Sequence, residues 1–201
     1  DKPVTGSKDI QGLFDNKNIL VVANGPNSEK YASAIEFYIK KNKPIVISIN
    51  ATSHISQELI DFYVISHNSK FLSEAKKYKC LNKPVILPKC RFLQSELQEL
   101  EGLNLIDYGL EVVKGNFAPK GVYTVSPYDI TFAYLLGSLL ESEVKSISVV
   151  GFDGYIQDDI RQQEMVELFN LYKAHENSLE ITALTPTTYP MVKGSIYAPL
   201  G

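Results

Sequence analysis

Short apolar runs alternate along the chain with longer segments that carry an apolar stripe, and that rhythm predicts the elements. Ile19-Leu20-Val21-Val22-Ala23 contains no polar residue, the pattern of a strand buried on both faces. It ends in Asn24-Gly25-Pro26-Asn27-Ser28. Tyr31, Ala34, Ile35, Tyr38 and Ile39 then recur at i, i+3, i+4, i+7 and i+8, which predicts one face of a helix over 28–42. Asn42-Lys43-Pro44 breaks it. Ile45–Asn50 reads as a second strand, Asp61–Asn68 as a third, Pro84–Pro88 as a short fourth and Leu103–Tyr108 as a fifth, with a helix over 70–79 that Ser69 caps.

Ser126-Pro127-Tyr128-Asp129 has the form of a helix start, with a capping hydroxyl, a proline in the first turn and an acid behind it. The helix it predicts, 127–141, is apolar on nearly every side and reads as a buried central helix in which Gly137 permits close packing. Lys145–Val150 is the next strand and delivers Gly151-Phe152-Asp153-Gly154-Tyr155. A helix over 160–175 carries a core stripe of Met165, Leu168, Phe169 and Tyr172, and Leu179–Leu184 is a last strand leading into Thr185-Pro186-Thr187-Thr188. Buried-type strands alternating with helices predict an α/β fold: a doubly wound, mostly parallel, Rossmann-like sheet with helices on both faces.

Residues 1–12 are polar and have the composition of a linker, here one leading from a further N-terminal domain; 13–201 read as a single domain. Residues 89–122 have no regular period and read as an insertion or flap, with Gly102, Gly109, Gly115 and Gly121 supplying turns; the tail 191–201 has no strong period either.

In doubly wound sheets ligands gather beyond the carboxyl ends of the strands. The first three predicted strands end in Asn24, Asn50 and Asn68, which suggests a polar crevice. Gly25 lets a ligand approach the backbone, and Ser28 stands where a helix start leaves N–H groups open to an anion. Asp153, an acid between glycines just past a strand end, suits a ribose or sugar hydroxyl or a backbone amide. The plainer alternative is that these residues only shape turns and caps. Neither Gly-x-Gly-x-x-Gly nor a P-loop is present.

Composition narrows the classes. A net charge of −3 over 201 residues argues against wholesale nucleic-acid binding, and no apolar run reaches membrane-span length. Cys80 and Cys90 do not form a C-x-x-C pair, which favours reduced thiols and a cytoplasmic location. His54, His67 and His175 lack metal-ligand spacing, so no metal or other cofactor is expected. Seven basic residues against Glu74 between 70 and 91 read as a solvated face before a phosphate or partner patch.

Three segments together resemble the bacterial sialyltransferase-like superfamily, glycosyltransferase family 42 and its relatives. They are Asn24-Gly25-Pro26-Asn27-Ser28, similar to an Asn-Gly-Pro-Ser turn; Val122–Tyr155, ending in a Gly-x-Asp-x-Tyr match at Gly151, Asp153 and Tyr155; and Thr185-Pro186-Thr187-Thr188 after the last strand. The resemblance implies a cytidine-type nucleotide or nucleotide-sugar in the crevice. Asn24, Gly25 and Ser126 would then meet phosphate, Asn50 and Asn68 the nucleotide or sugar, and Asp153 with Tyr155 the nucleoside. The family places a general-base histidine in the loop after Gly-x-Asp-x-Tyr. Here Ile156–Gln163 holds none, which leaves Asp158 or Asp159 to accept a proton and no catalytic residue assigned.

The chain also looks like the domain that follows an aldolase-type barrel in bacterial surface-polysaccharide biosynthesis proteins, the 4-hydroxy-2-oxovalerate aldolase-like fusions. That likeness implies such a barrel as partner and leaves a second reading open, a non-catalytic docking or oligomerisation domain that forms a homo-oligomer.

Overall fold

The structure is a computed structural model and describes residues 4–49, 51 and 53–198. Eight strands form one sheet: β1 (Asn18–Val22), β2 (Ile45–Ser48), β3 (Phe62–Val64), β4 (Val85–Leu87), β5 (Leu105–Asp107), β9 (Ser146–Val150), β10 (Ile181–Ala183) and β11 (Val192–Lys193). Their order is β11-β10-β9-β1-β2-β3-β4-β5 and every pairing is parallel. A three-stranded sheet of β6 (Gly109–Val112), β8 (Tyr123–Ser126) and β7 (Ala118–Pro119) stands beside it, in the order β6-β8-β7. The helices are α1 (Pro26–Lys30), α2 (Ala32–Asn42), α3 (Asn68–Ser73), α4 (Ala75–Leu81), α5 (Gln94–Glu99), α6 (Thr131–Leu139) and α7 (Ile160–Lys173).

The apolar runs become strands because alternate residues enter opposite cores. Ile19 and Val21 join the cluster around α6 and α7, while Leu20 and Val22 join the cluster with Ile35, Tyr38 and Ile39 of α2. Ile47, Val64, Ile86 and Val149 fall on the first side, and Val46, Tyr63, Val85 and Leu87 on the second. Helices therefore cover both faces, as the doubly wound pattern requires. In α6 every residue from Phe132 to Leu139 is buried. Gly137 lies so close to Thr124 of β8 that an added Cβ would overlap its side chain, the close packing that the glycine suggested. The stripe Met165, Leu168, Phe169 and Tyr172 is buried on α7.

Five expectations need correction. The helix over 28–42 is broken at Tyr31 into α1 and α2, and the helix over 70–79 is broken at Glu74 into α3 and α4. The central helix starts at Thr131, not 127; Ser126 is the last residue of β8. Residues 89–122 are not a flap. They supply the edge strand β5, the helix α5 and the strands β6 and β7. Residues 4–12, expected as linker, are packed: Ile10 is fully buried, the Ser7 N–H donates to the Asp107 carbonyl at 3.1 Å and the Gly12 N–H to the Glu141 carbonyl at 3.0 Å. Tertiary contacts of a few residues fix this segment, which composition does not reveal. No helix among the described residues is long and apolar enough to cross a membrane.

Candidate functional site

The chain runs outward from β1 through β2, β3 and β4 to β5, then returns to lay β9 against the other side of β1. The order reverses between β1 and β9, and at such a point the two strand ends turn to opposite faces and leave a crevice. A cleft of about 690 Å³ lies there. It is lined from β1 by Asn24, Gly25 and Pro26, from β9 by Phe152, Asp153 and Tyr155, and from beyond β3 by His67. Asp129 and Phe132 come from the approach to α6 and from α6 itself, and Arg161, Glu164 and Met165 from α7.

The loops that rim the cleft are stitched to one another. The parallel ladder continues past the strands: the Ala23 N–H donates to the Val150 carbonyl at 3.0 Å and the Gly25 N–H to the Gly151 carbonyl at 2.9 Å. This close approach excludes side chains. A Cβ on Gly25 would overlap the Gly151 carbonyl and lie 2.7 Å from Asp153 Oδ1. Gly151 sits at φ +73°, and a Cβ there would overlap the Ala23 carbonyl. The Gly151 N–H donates to Thr185 Oγ1 at 2.9 Å, and the Thr188 N–H to the Asp153 carbonyl at 2.9 Å, so the loop after β10 is bound in as well.

Asp153 is the fastener of this junction. Its Oδ2 accepts from the Asn27 N–H at 2.8 Å, an N–H in the first turn of α1. An anion does stand at the start of α1, as the chemistry of a helix start favours, but it belongs to the protein. Oδ1 is buried and has no hydrogen-bond partner.

The residues expected to bind ligand separate into two groups. Asn24, Gly25, Asp153 and Tyr155 come together on the cleft. Ser28 is fully buried; its hydroxyl donates to the Gly25 carbonyl at 2.9 Å and so closes the turn from inside instead of facing an anion. Ser126 is also fully buried and donates to the Tyr128 carbonyl at 2.6 Å, so it neither caps α6 nor reaches the cleft. Asn68 begins α3 and donates to the Arg91 carbonyl at 3.1 Å; it does not line the cleft. Asn50 lies outside the described residues.

At the α7 end of the cleft the Arg161 guanidinium stands 4.0 Å over the Tyr155 ring and is chelated by the Asp159 carboxylate, with Nε 2.9 Å from Oδ1. Asp159 also caps α7 by accepting from the Arg161 N–H at 2.9 Å. These bonds from Arg161 hold the Asp159 carboxyl below its ordinary range. One of the two acids considered as a proton acceptor is thus already committed. Tyr189 completes this end, and burial pushes its hydroxyl up to about 12, so it remains a neutral donor. Gln162 fixes the loop between them: its Oε1 accepts from the Tyr155 N–H at 2.9 Å.

At the β3 end the structure assembles a group that sequence reasoning missed. His67 Nδ1 lies 3.5 Å from Asp129 Oδ2, and Arg91 Nη1 donates to both Asp129 oxygens at 2.8 Å. The signal available was the strand-end rule, which singled out Asn68 but applies equally to its neighbour His67. Asp129 was absorbed into a helix start that does not form, and Arg91 into a run of solvated cations. No three His, Cys, Asp or Glu side chains among the described residues gather as metal ligands would. No known family model, curated protein or solved structure matches the chain.

Proposed function

We propose that this chain is a nucleotide- or nucleotide-sugar-binding domain of glycosyltransferase ancestry whose ligand lies in the cleft between the ends of β1 and β9. The observation that carries the reading is the coincidence of an order reversal with an open cleft lined by Asn24, Tyr155, Tyr189, Arg161 and His67. The cleft has the size of a small-molecule site. Tyr155, backed by Arg161, offers a face on which a base can stack. The start of α1 is closed by Asp153, so the ligand's phosphate belongs outside the turn, near Asn24 and the Arg161 guanidinium, and Asp153 shapes the site without touching the ligand. The cytidine-type base and the link to an aldolase-type barrel rest on the resemblance of the three motifs. Free thiols at Cys80 and Cys90 suit a reducing compartment such as the cytoplasm.

Titration calorimetry with CMP, UMP, AMP and a CMP-sugar tests the reading. CMP and its sugar are expected to bind, with affinity lost in Asn24→Ala and Tyr155→Ala. No heat from any member of the panel, with no thermal shift, overturns it.

A further inference from the structure

We propose that the outer face of α2 and α4 is a docking surface for an anionic lipid bilayer. Phe37 is the side chain that enters the interface, and the lysines around it meet the headgroups. The inference is independent of the cleft, which none of these residues lines.

Charge is spread unevenly along the chain. Residues 32–43 and 68–83, which form α2, α3, α4 and their closing turns, hold eight lysines against Glu36 and Glu74. Both acids are turned inward. Glu36 Oε1 accepts from the Ser56 N–H and hydroxyl, and its Oε2 lies 3.9 Å from Lys40 Nζ. Glu74 Oε2 is buried. Because the whole chain carries −3, the remainder is acidic, and a negative surface is met with this face foremost.

The fold sets the lysines outward on one side. Ile35, Tyr38 and Ile39 of α2 and Tyr78 of α4 fill the same core cluster, so the two helices cover one face of the sheet. The helical period then turns the opposite positions to solvent. On α2 these are Phe37, Lys40 and Lys41; on α4 they are Lys76 and Cys80, with Lys79 beside them, and all are exposed. Lys43, which closes α2, is exposed as well. Lys79 Nζ donates to the Glu99 carbonyl, a bond that leaves its charge in place. Glu58, in the turn Gln57–Leu59 between β2 and β3, is an exposed acid on the same side, and the lysines outnumber it. Clusters of about four to eight basic side chains are what holds a protein to acidic phospholipid. A soluble polyanion would use the lysines alone. Phe37 decides for the bilayer: it is 69% exposed on the outermost line of α2, with Lys40 and Lys41 one turn further on. An apolar side chain among cations suits the boundary between headgroups and acyl chains.

The test is co-sedimentation of the whole chain with vesicles of phosphatidylcholine alone or with about one third phosphatidylglycerol. The wild-type chain is expected to bind the mixed vesicles and not the neutral ones. It should be released in about 1 M salt, where the Debye length is about 3 Å. Lys41→Gln combined with Lys76→Gln is expected to weaken binding about 30-fold. Lys114→Gln combined with Lys120→Gln removes the same charge from exposed positions next to β6 and β7, and should change binding about twofold or less. Phe37→Ala is expected to weaken it about tenfold. No binding of the wild-type chain to the mixed vesicles overturns the proposal, and so does equal binding to the neutral ones. Equal losses from the two lysine pairs, or undiminished binding by Phe37→Ala, overturn it too. A chain that heparin retains and vesicles do not is a partner of soluble polyanions, which also overturns the bilayer.

Discussion

Two hollows of nearly equal size lie at the two ends of the central strands β1 and β9, and their difference shows what makes one a site. The cleft beyond the ends of β1 and β9 measures about 690 Å³. The other, about 710 Å³, lies between residues 11–15, the segment from Leu139 to Val144 and the end of α7. The second hollow is rich in acids, yet two of its carboxylates already serve the fold. Glu141 Oε1 accepts from the Tyr108 hydroxyl at 2.7 Å and from the Gly121 N–H at 2.8 Å, and Asp15 Oδ1 accepts from the Glu143 N–H at 2.8 Å. At the cleft, by contrast, structural and open groups stand side by side. Asp153, Asp159 and Arg161 hold the walls, while His67 presents a nitrogen bonded to no described residue. Volume does not distinguish the two hollows, but the state of their polar groups does.

Substitutions can break this contrast in order of expected effect. Gly151→Ala should be the most damaging, by about 3 to 5 kcal/mol, since it adds left-handed backbone strain to an overlap with the Ala23 carbonyl; chemical denaturation checks it. Asp153→Ala removes the acceptor of a charge-assisted bond to the Asn27 N–H and should cost about 1.5 to 3 kcal/mol, with loss of CMP affinity as the rim loosens. Glu141→Ala should cost about 1 to 3 kcal/mol because the buried Tyr108 hydroxyl loses its short acceptor and keeps only the Gly137 carbonyl at 3.4 Å. Unlike Asp153→Ala it should leave CMP titrations unchanged, and an effect on CMP affinity would erase the distinction between the hollows.

The smallest effect is expected at Glu36, which is remote from both. Its Oε1 accepts from the Ser56 N–H and hydroxyl, each at 2.8 Å. The backbone bond first, then the hydroxyl bond, holds its carboxyl below the ordinary value. A carboxyl lowered in the folded state adds stability that is present above its unfolded pKa and is lost as pH falls through the folded one. Glu36→Gln should therefore be less stable than wild type at neutral pH by about 1 kcal/mol or less, and the gap should close below about pH 4. Thermal melts across that range check the sign.

The strands of the main sheet were legible where apolar runs were long, because burial on both faces leaves no polar position to blur them. β1, β2 and β9 emerge within a residue or two of their expected bounds. The expected strand Leu103–Tyr108 contains β5, whereas β6, β7 and β8 are two to four residues each, too short for a period to develop. Ser126 shows how a local signal is overridden. Its neighbours invite a cap, but its carbonyl accepts from the Val113 N–H at 2.9 Å and the β6 pairing claims the backbone. The strand-end rule found Asn24, Gly25 and Asp153, and Tyr155 came from the Gly-x-Asp-x-Tyr resemblance. Applied to β3 the rule reaches as far as His67, but not Arg91 or Asp129, which are distant in sequence and join it only when β3 and α6 dock.

The pairing of β1 with β9 has a consequence for biosynthesis. Val22 lies opposite Val150, 128 positions later in the chain. At a translation rate of about 5 to 20 residues per second, the ribosome takes roughly 6 to 26 seconds to deliver the partner. Until then one side of the nascent sheet's central strand has unpaired N–H and C=O groups and uncovered apolar side chains. The newborn chain is most open to aggregation, and most in need of a chaperone, in that interval.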